Sequence, residues 1–276
     1  MSSPKKTTRR NVIKVGMAAL ASAGIITPEG NTALPKDIKP KARGETKVVF
    51  LGGDVLHNFM AQEPALRGIC ERAGWKFYSV HDARYVTPEL ISDADLMMIE
   101  RWAGGVPGWI PGPVFESAPE NDRYMTDELE DAIVDNVTNR GMAFMSIHCC
   151  IWAMAKKKFT NMLGVNAIIH GPLQTVRCNN FNQNHPITKG MKDFDIPIDE
   201  NFGAEITDPD TIPLYETFGL DDKRQDYGGW CTEKNKGRVC GFLAGHTYFA
   251  FQNPNYLELF RRGAYWALKK DIPVKG

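Results

Sequence analysis

The run MAFMSIHCCIW at residues 142–152 is built like a buried strand until it ends in His148, Cys149 and Cys150. Those are side chains that bind metal, move protons or attack carbonyls. A second apolar run, GRVCGFLAGH, stops in the same way at Gly245-His246. Two imidazoles delivered by two strands allow two chemistries. As neutral ligands, joined by a carboxylate from Asp54, Glu100 or the IDEN segment that holds Asp199 and Glu200, they could bind a divalent, zinc-type ion and leave positions open for substrate. As an acid/base pair they could move a proton between neighbouring carbons of a keto-sugar or enediol, because imidazole titrates near neutrality.

The elements needed to position them are readable upstream. TKVVFLGG (46–53) is a short apolar run closing in glycines. EPALRGICERAG (63–74) puts Ala65, Leu66, Ile69 and Ala73 on one helical face before a Gly stop. WKFYSVHD and ADLMMIE read as strands with a Thr-Pro-Glu helix start between them. TDELEDAIVDNVTNRG (126–141) has a Thr cap, acids in its first turn and a closing Gly141. Strand and helix alternating at this spacing imply a parallel sheet with helices on both faces. Ligands bind such sheets outside the carboxyl ends of the strands. Asp54 and His57 follow the first strand, Glu100, Arg101 and Trp102 close the third, and His148 ends the fourth. Three strand ends therefore converge on one edge.

Residues 103–123 form a Gly/Pro-rich loop with Trp109 in it and Trp102 just before it. Loops of this length are often lids or binding loops, and indoles stack on sugar rings; a loop packed by its own aromatics is the alternative. From 168 to 240 the fragments read as short strands and turns, an antiparallel extension of the sheet. PNYLELFRRGAYWALKK then makes an amphipathic last helix opening at Pro254. Trp230 and Tyr248 are further candidates to line a saccharide cleft. His81, His170 and His185 are set aside, the last as part of a surface turn.

Composition removes some classes. Basic and acidic residues balance at 33 each, so there is no basic excess for nucleic acid or an anionic membrane. G-x-G-x-x-G is absent, so no nucleotide cofactor is expected. The N-terminal KKTTRRNVIKVGMAALASAGIITP resembles a twin-arginine export signal. Its apolar stretch of about 15 residues falls short of the roughly 20 that span a bilayer. Residues 1–35 are thus expected to be signal and cleavage region, 36–45 a linker, and 46–272 a single domain in a periplasmic or otherwise extracytoplasmic protein. Of the six cysteines, Cys231 and Cys240 could face each other across a hairpin.

HPITKGMKDF, the strand GRVCGFLAGH followed by an Asn-Pro helix start, the terminal FRRGAYWAL, and AFMSIH after a helix ending in Gly together resemble the ThuA-like trehalose-utilisation family, of the class I glutamine amidotransferase-like superfamily. The resemblance spans roughly residues 46–270. It implies a flavodoxin-like, doubly wound, mostly parallel sheet and a link to disaccharide catabolism through keto-sugars. The superfamily's cysteine nucleophile sits on a strand-to-helix elbow; here His148 fills that position, and Ser146 and Cys150 stand where glycines would relieve the turn. Glutamine hydrolysis is therefore not expected, and Cys149 and Cys150 read as packing residues.

The resulting expectation is a carbohydrate enzyme of isomerase or lyase type, with His148, His246 and Glu100 catalytic. Asp54, His57, Trp102, Trp109 and Tyr248 would bind the small-molecule carbohydrate, and His148, His246 and Glu200 would hold a divalent metal. A non-catalytic saccharide-binding module on the same fold is the alternative, and homo-oligomerisation stays open.

Overall fold

A computed structural model describes residues 40–52, 57, 59–81, 83–102, 125–152 and 157–274, all within one unit spanning Leu34–Gly276. The strands are β1 (Lys47–Gly52), β2 (Lys76–Val80), β3 (Leu96–Glu100), β4 (Ala143–Ile147), β5 (Val165–Asn179), β6 (Phe194–Ile206), β7 (Ile212–Gly219), β8 (Gln225–Lys234) and β9 (Gly237–Phe242). The helices are α1 (Phe59–Arg72), α2 (Pro88–Ile91), α3 (Asp127–Asp135), α4 (Lys157–Leu163), α5 (Tyr248–Gln252) and α6 (Pro254–Ala267). One sheet runs in the order β2-β1-β3-β4-β9-β8-β7-β5-β6.

The first five strands in that order are parallel and the rest antiparallel. Alternation divides the core: Val48 and Phe50 of β1 pack with Leu66 and Ile69 of α1 and Leu259 and Phe260 of α6. Val49 and Leu51 pack on the other face with Ile91 of α2, Ile133 of α3 and Phe159 of α4. Each such side chain contributes about 1.5–3 kcal/mol by leaving water. The doubly wound, mostly parallel sheet with an antiparallel extension is as expected.

Local signals hold as well. Thr87 and Thr126 cap α2 and α3 by accepting from Leu90 N and Leu129 N, and a single π turn carries α3 on to Gly141, whose φ of 97° only glycine adopts easily. Two details differ. α1 begins at Phe59, four residues before the expected start, with Pro64 inside the helix, where it removes one i→i−4 hydrogen bond. β9 ends at Phe242, so His246 stands on a loop beyond the strand. Cys231 and Cys240 do pair across the β8–β9 hairpin, and both are free thiols.

His185 sits in a turn between exposed Asn184 and Pro186, as expected, but its side chain is buried, with its ring edge-on to Trp266. The Ile187 N–H donates to its Nδ1 at 3.3 Å, so the ring proton sits on Nε2, 3.4 Å from Cys231 Sγ. Burial, then the charge of Arg238, lowers its pKa from 6.5 to about 4. Between those values the unfolded chain takes up a proton that the folded protein refuses. Stability is therefore expected to fall as pH drops from about 6.5 to about 4, on the order of 2 to 3 kcal/mol from this group. Urea midpoints across that range should show the slope, and His185→Gln should flatten it; an equal slope in the variant would rule this source out.

Candidate functional site

The parallel strands finish level with one another: Gly52 is in register with Glu100, Ile99 with Ser146, and Ile147 with Phe242. The residues just past those ends therefore gather at one edge. His148 turns the chain out of β4 into a 3-10 turn over His148–Trp152 with φ 47°, a left-handed conformation. Histidine tolerates that region better than most residues, yet the position stores strain of about 1 kcal/mol or more. The elbow expected at this point is thus present, with an imidazole on it.

His148 is fully buried. Its Nδ1 lies 2.7 Å from the Leu243 carbonyl oxygen; an oxygen that can only accept forces Nδ1 to donate, which leaves a lone pair on Nε2. Nε2 has no hydrogen-bond partner among the described residues and stands 3.5 Å from Glu200 Oε2. Burial keeps the ring neutral by lowering its pKa. A lone pair thus faces an anion inside the protein, an arrangement that suits a cation between them.

Three imidazoles close the cluster. The ring centroid of His57 lies 5.0 Å from that of His148 and 4.9 Å from that of His246, and His148 and His246 are 5.4 Å apart. One ligating atom from each can be chosen so that all three lie within 4.8 Å of one another. His246 Nδ1 is 3.3 Å from Glu200 Oε2, and His170 Nδ1 is 3.4 Å from Glu200 Oε1. Neutral nitrogen donors with one carboxylate are the ligand set of a divalent ion of the zinc class, so these residues fit the expected metal.

The loop carrying His246 is held from below. Asp199, buried beside Glu200, accepts from Gly245 N at 3.0 Å, His246 N at 3.0 Å and Glu200 N at 2.8 Å. Burial pushes its carboxyl up despite these donors. Gln62 of α1 donates to the Gly245 carbonyl at 2.9 Å. Gly245 has φ 133°, and a Cβ there would come within 3.2 Å of Phe251 and 3.4 Å of His148, so only glycine passes this close to the elbow.

His148, His246, Glu200 and His57 are brought together, and Glu100 stands at their side. Glu100 is buried, 4.0 Å by Oε1 from Cys149 Sγ, which is also 3.5 Å from His57 Nδ1. Cys149 is therefore a polar neighbour of the cluster and not packing alone; Cys150 is packed in the core, its thiol pushed up to about 12 by burial. Tyr248 is 41% exposed, two residues beyond His246. Trp102 is buried, so stacking on an open indole face finds no support there. Trp230 is fully buried and donates to the Leu163 carbonyl; it belongs to the core and lines no cleft. Asp54, Trp109, the 103–123 loop and the export signal lie outside the described residues.

Sequence reading missed His170. It sits within β5, a strand of 15 residues, but bulges between Ala167 and Val176 break the alternation that would have revealed it.

An open flavodoxin-like α/β sheet with imidazoles and carboxylates gathered at its carboxyl edge is the class these features define. The family model described as ThuA, trehalose utilisation, matches residues 47–267, and the chain belongs to that family. A ThuA-like protein of Parabacteroides merdae aligns at 16% identity and TM-score 0.66, covering 84% of this chain and 93% of that one. A ThuA-like protein of Bacteroides uniformis aligns at 15% and 0.60, covering 89% and 97%. A β-galactosidase of Rahnella sp. R3 aligns at 10% and 0.56, covering 83% of this chain and 32% of the enzyme. At these identities the likeness is one of fold. No curated protein matches by sequence. No helix among the described residues is long and apolar enough to cross a membrane.

Proposed function

We propose that this protein acts on a sugar or keto-sugar at a site where His57, His148 and Glu200 hold a divalent ion beside His246, a proton being taken from the carbon next to the carbonyl and either returned to the neighbouring carbon in an isomerisation or followed by loss of the β-substituent in an elimination. The observation that carries this reading is the buried lone pair of His148 Nε2 facing the Glu200 carboxylate within a three-histidine cluster. Membership of a family described by trehalose utilisation supports a carbohydrate substrate. The bound ion would polarise a keto oxygen and acidify the adjacent C–H.

The chain's own groups divide the remaining work. His148, clamped on Leu243, is a fixed ligand. His246 is partly exposed, so it is the imidazole able to meet substrate and carry the proton. Asp199 and Gln62 fix where it stands. Glu100, beside Cys149, is a buried carboxylate available to shape the site around His57. We extend the proposal to export by the twin-arginine route, resting on Arg9, Arg10 and the apolar stretch behind them.

Turnover tests it. The protein incubated with a keto-glucoside and zinc or manganese in deuterated water is expected to place deuterium beside the carbonyl, followed by NMR. His246→Gln should lower the rate by about a hundredfold or more while binding persists. No exchange by the wild-type protein with either ion would overturn the catalytic assignment.

A further inference from the structure

The charged centre has an apolar rim. Leu173 of β5 stands directly across the ladder from Glu200 of β6, and cross-strand partners project from the same face. Ile198 lies two residues before Glu200, and the strand alternates between them: Asp199 is buried while Ile198 and Glu200 are open to different degrees. Leu173 is 51% exposed and Ile198 42%. Tyr248 follows Thr247, whose hydroxyl donates to the Ile198 carbonyl, and its ring stacks on Phe249. Leu173 and Ile198 thus flank a carboxylate that faces His148 and His246, and Tyr248, 41% exposed, begins the helix that follows His246. Sugar hydroxyls placed against Leu173 and Ile198 would lose water without gaining a hydrogen bond, whereas an aryl or alkyl group would gain by leaving it. Ile168 and Ile169 of β5 are exposed too, at 61% and 49%, but Ile169 stands across from Gly203, three residues along β6 from Glu200 and therefore on the other face of the strand.

We infer that the substrate is a glycoside with an apolar aglycone, the sugar ring at the histidines and the aglycone on Leu173, Ile198 and Tyr248. The inference rests on the sugar reading proposed above and adds to it the chemistry of the leaving or neighbouring group. Titration calorimetry of the full chain with methyl, hexyl and phenyl glucosides and their keto forms tests it. Hexyl and phenyl compounds should bind at least about tenfold tighter than methyl. The exposed double substitution Leu173→Ser with Ile198→Ser should bring that ratio close to one, with an unchanged thermal melt confirming the fold. Equal affinity for all three aglycones would overturn this inference and leave the sugar reading standing. Failure of every glycoside to bind would overturn both. A double variant that keeps the aglycone preference but changes sedimentation from dimer to monomer would make the rim a contact between copies and overturn the inference.

Discussion

His148→Asn is expected to lower affinity for zinc by at least about a hundredfold while leaving the fold intact. Removing a residue that merely orients a ligand costs ten- to a hundredfold in such sites, so loss of a ligand costs no less. Asparagine is the informative replacement, because it accepts the left-handed backbone at φ 47° and presents no imidazole at Nε2. Alanine would mix the loss of a ligand with backbone strain. Calorimetric titration with zinc and cobalt, alongside a thermal melt, reads both quantities. Unaltered zinc affinity in a folded His148→Asn protein would remove His148 from the ion site, and with it the observation that carries the proposed function.

Asp199→Ala should be the most damaging single change to stability at the site, by about 2–4 kcal/mol. Its carboxylate accepts from three backbone N–H groups, two of them on the Gly245-His246 loop. Taking it away leaves buried donors without an acceptor, and each such group costs about 1–3 kcal/mol. Asp199→Asn keeps one oxygen and should lose less. The urea midpoint gives the stability change. The kcat for the keto-glucoside should fall further than stability alone explains, because His246 is released from its position. A variant that loses the expected stability yet turns over at the wild-type rate would show that His246 needs no such support.

How much of this was legible in the residues depends on whether local pattern or long-range register decided the matter. The parallel half announced itself: Thr caps, Gly stops and apolar runs specify elements through neighbours a few residues away, and three strand ends then fix the edge where His57, Glu100 and His148 meet. The IDEN segment was visible as a source of carboxylates, but nothing local says that Glu200 faces the histidines while Asp199 turns inward. That depends on the β5–β6 bulges and on which strands flank which. Trp230 misled for the same reason: its place opposite Leu163 comes from the insertion of β9 between β4 and β8. His170 was hidden by the interrupted alternation of β5. Cys149 read as packing because its partners, His57 and Glu100, come from two other strand ends.

Asp199 and Glu200 are neighbours on a sheet-edge strand with opposite tasks, one anchoring a loop from inside and the other facing the imidazoles. Side chains alternate along a strand, so one inserted or deleted residue upstream in β6 would exchange the two positions. The anchor would turn outward and the ligand inward, and both would be lost in a single step. The site therefore tolerates variation in the length of surface turns, where it changes nothing in register, far better than it tolerates any indel between Phe194 and Asp199. Its integrity is a matter of counting as much as of chemistry.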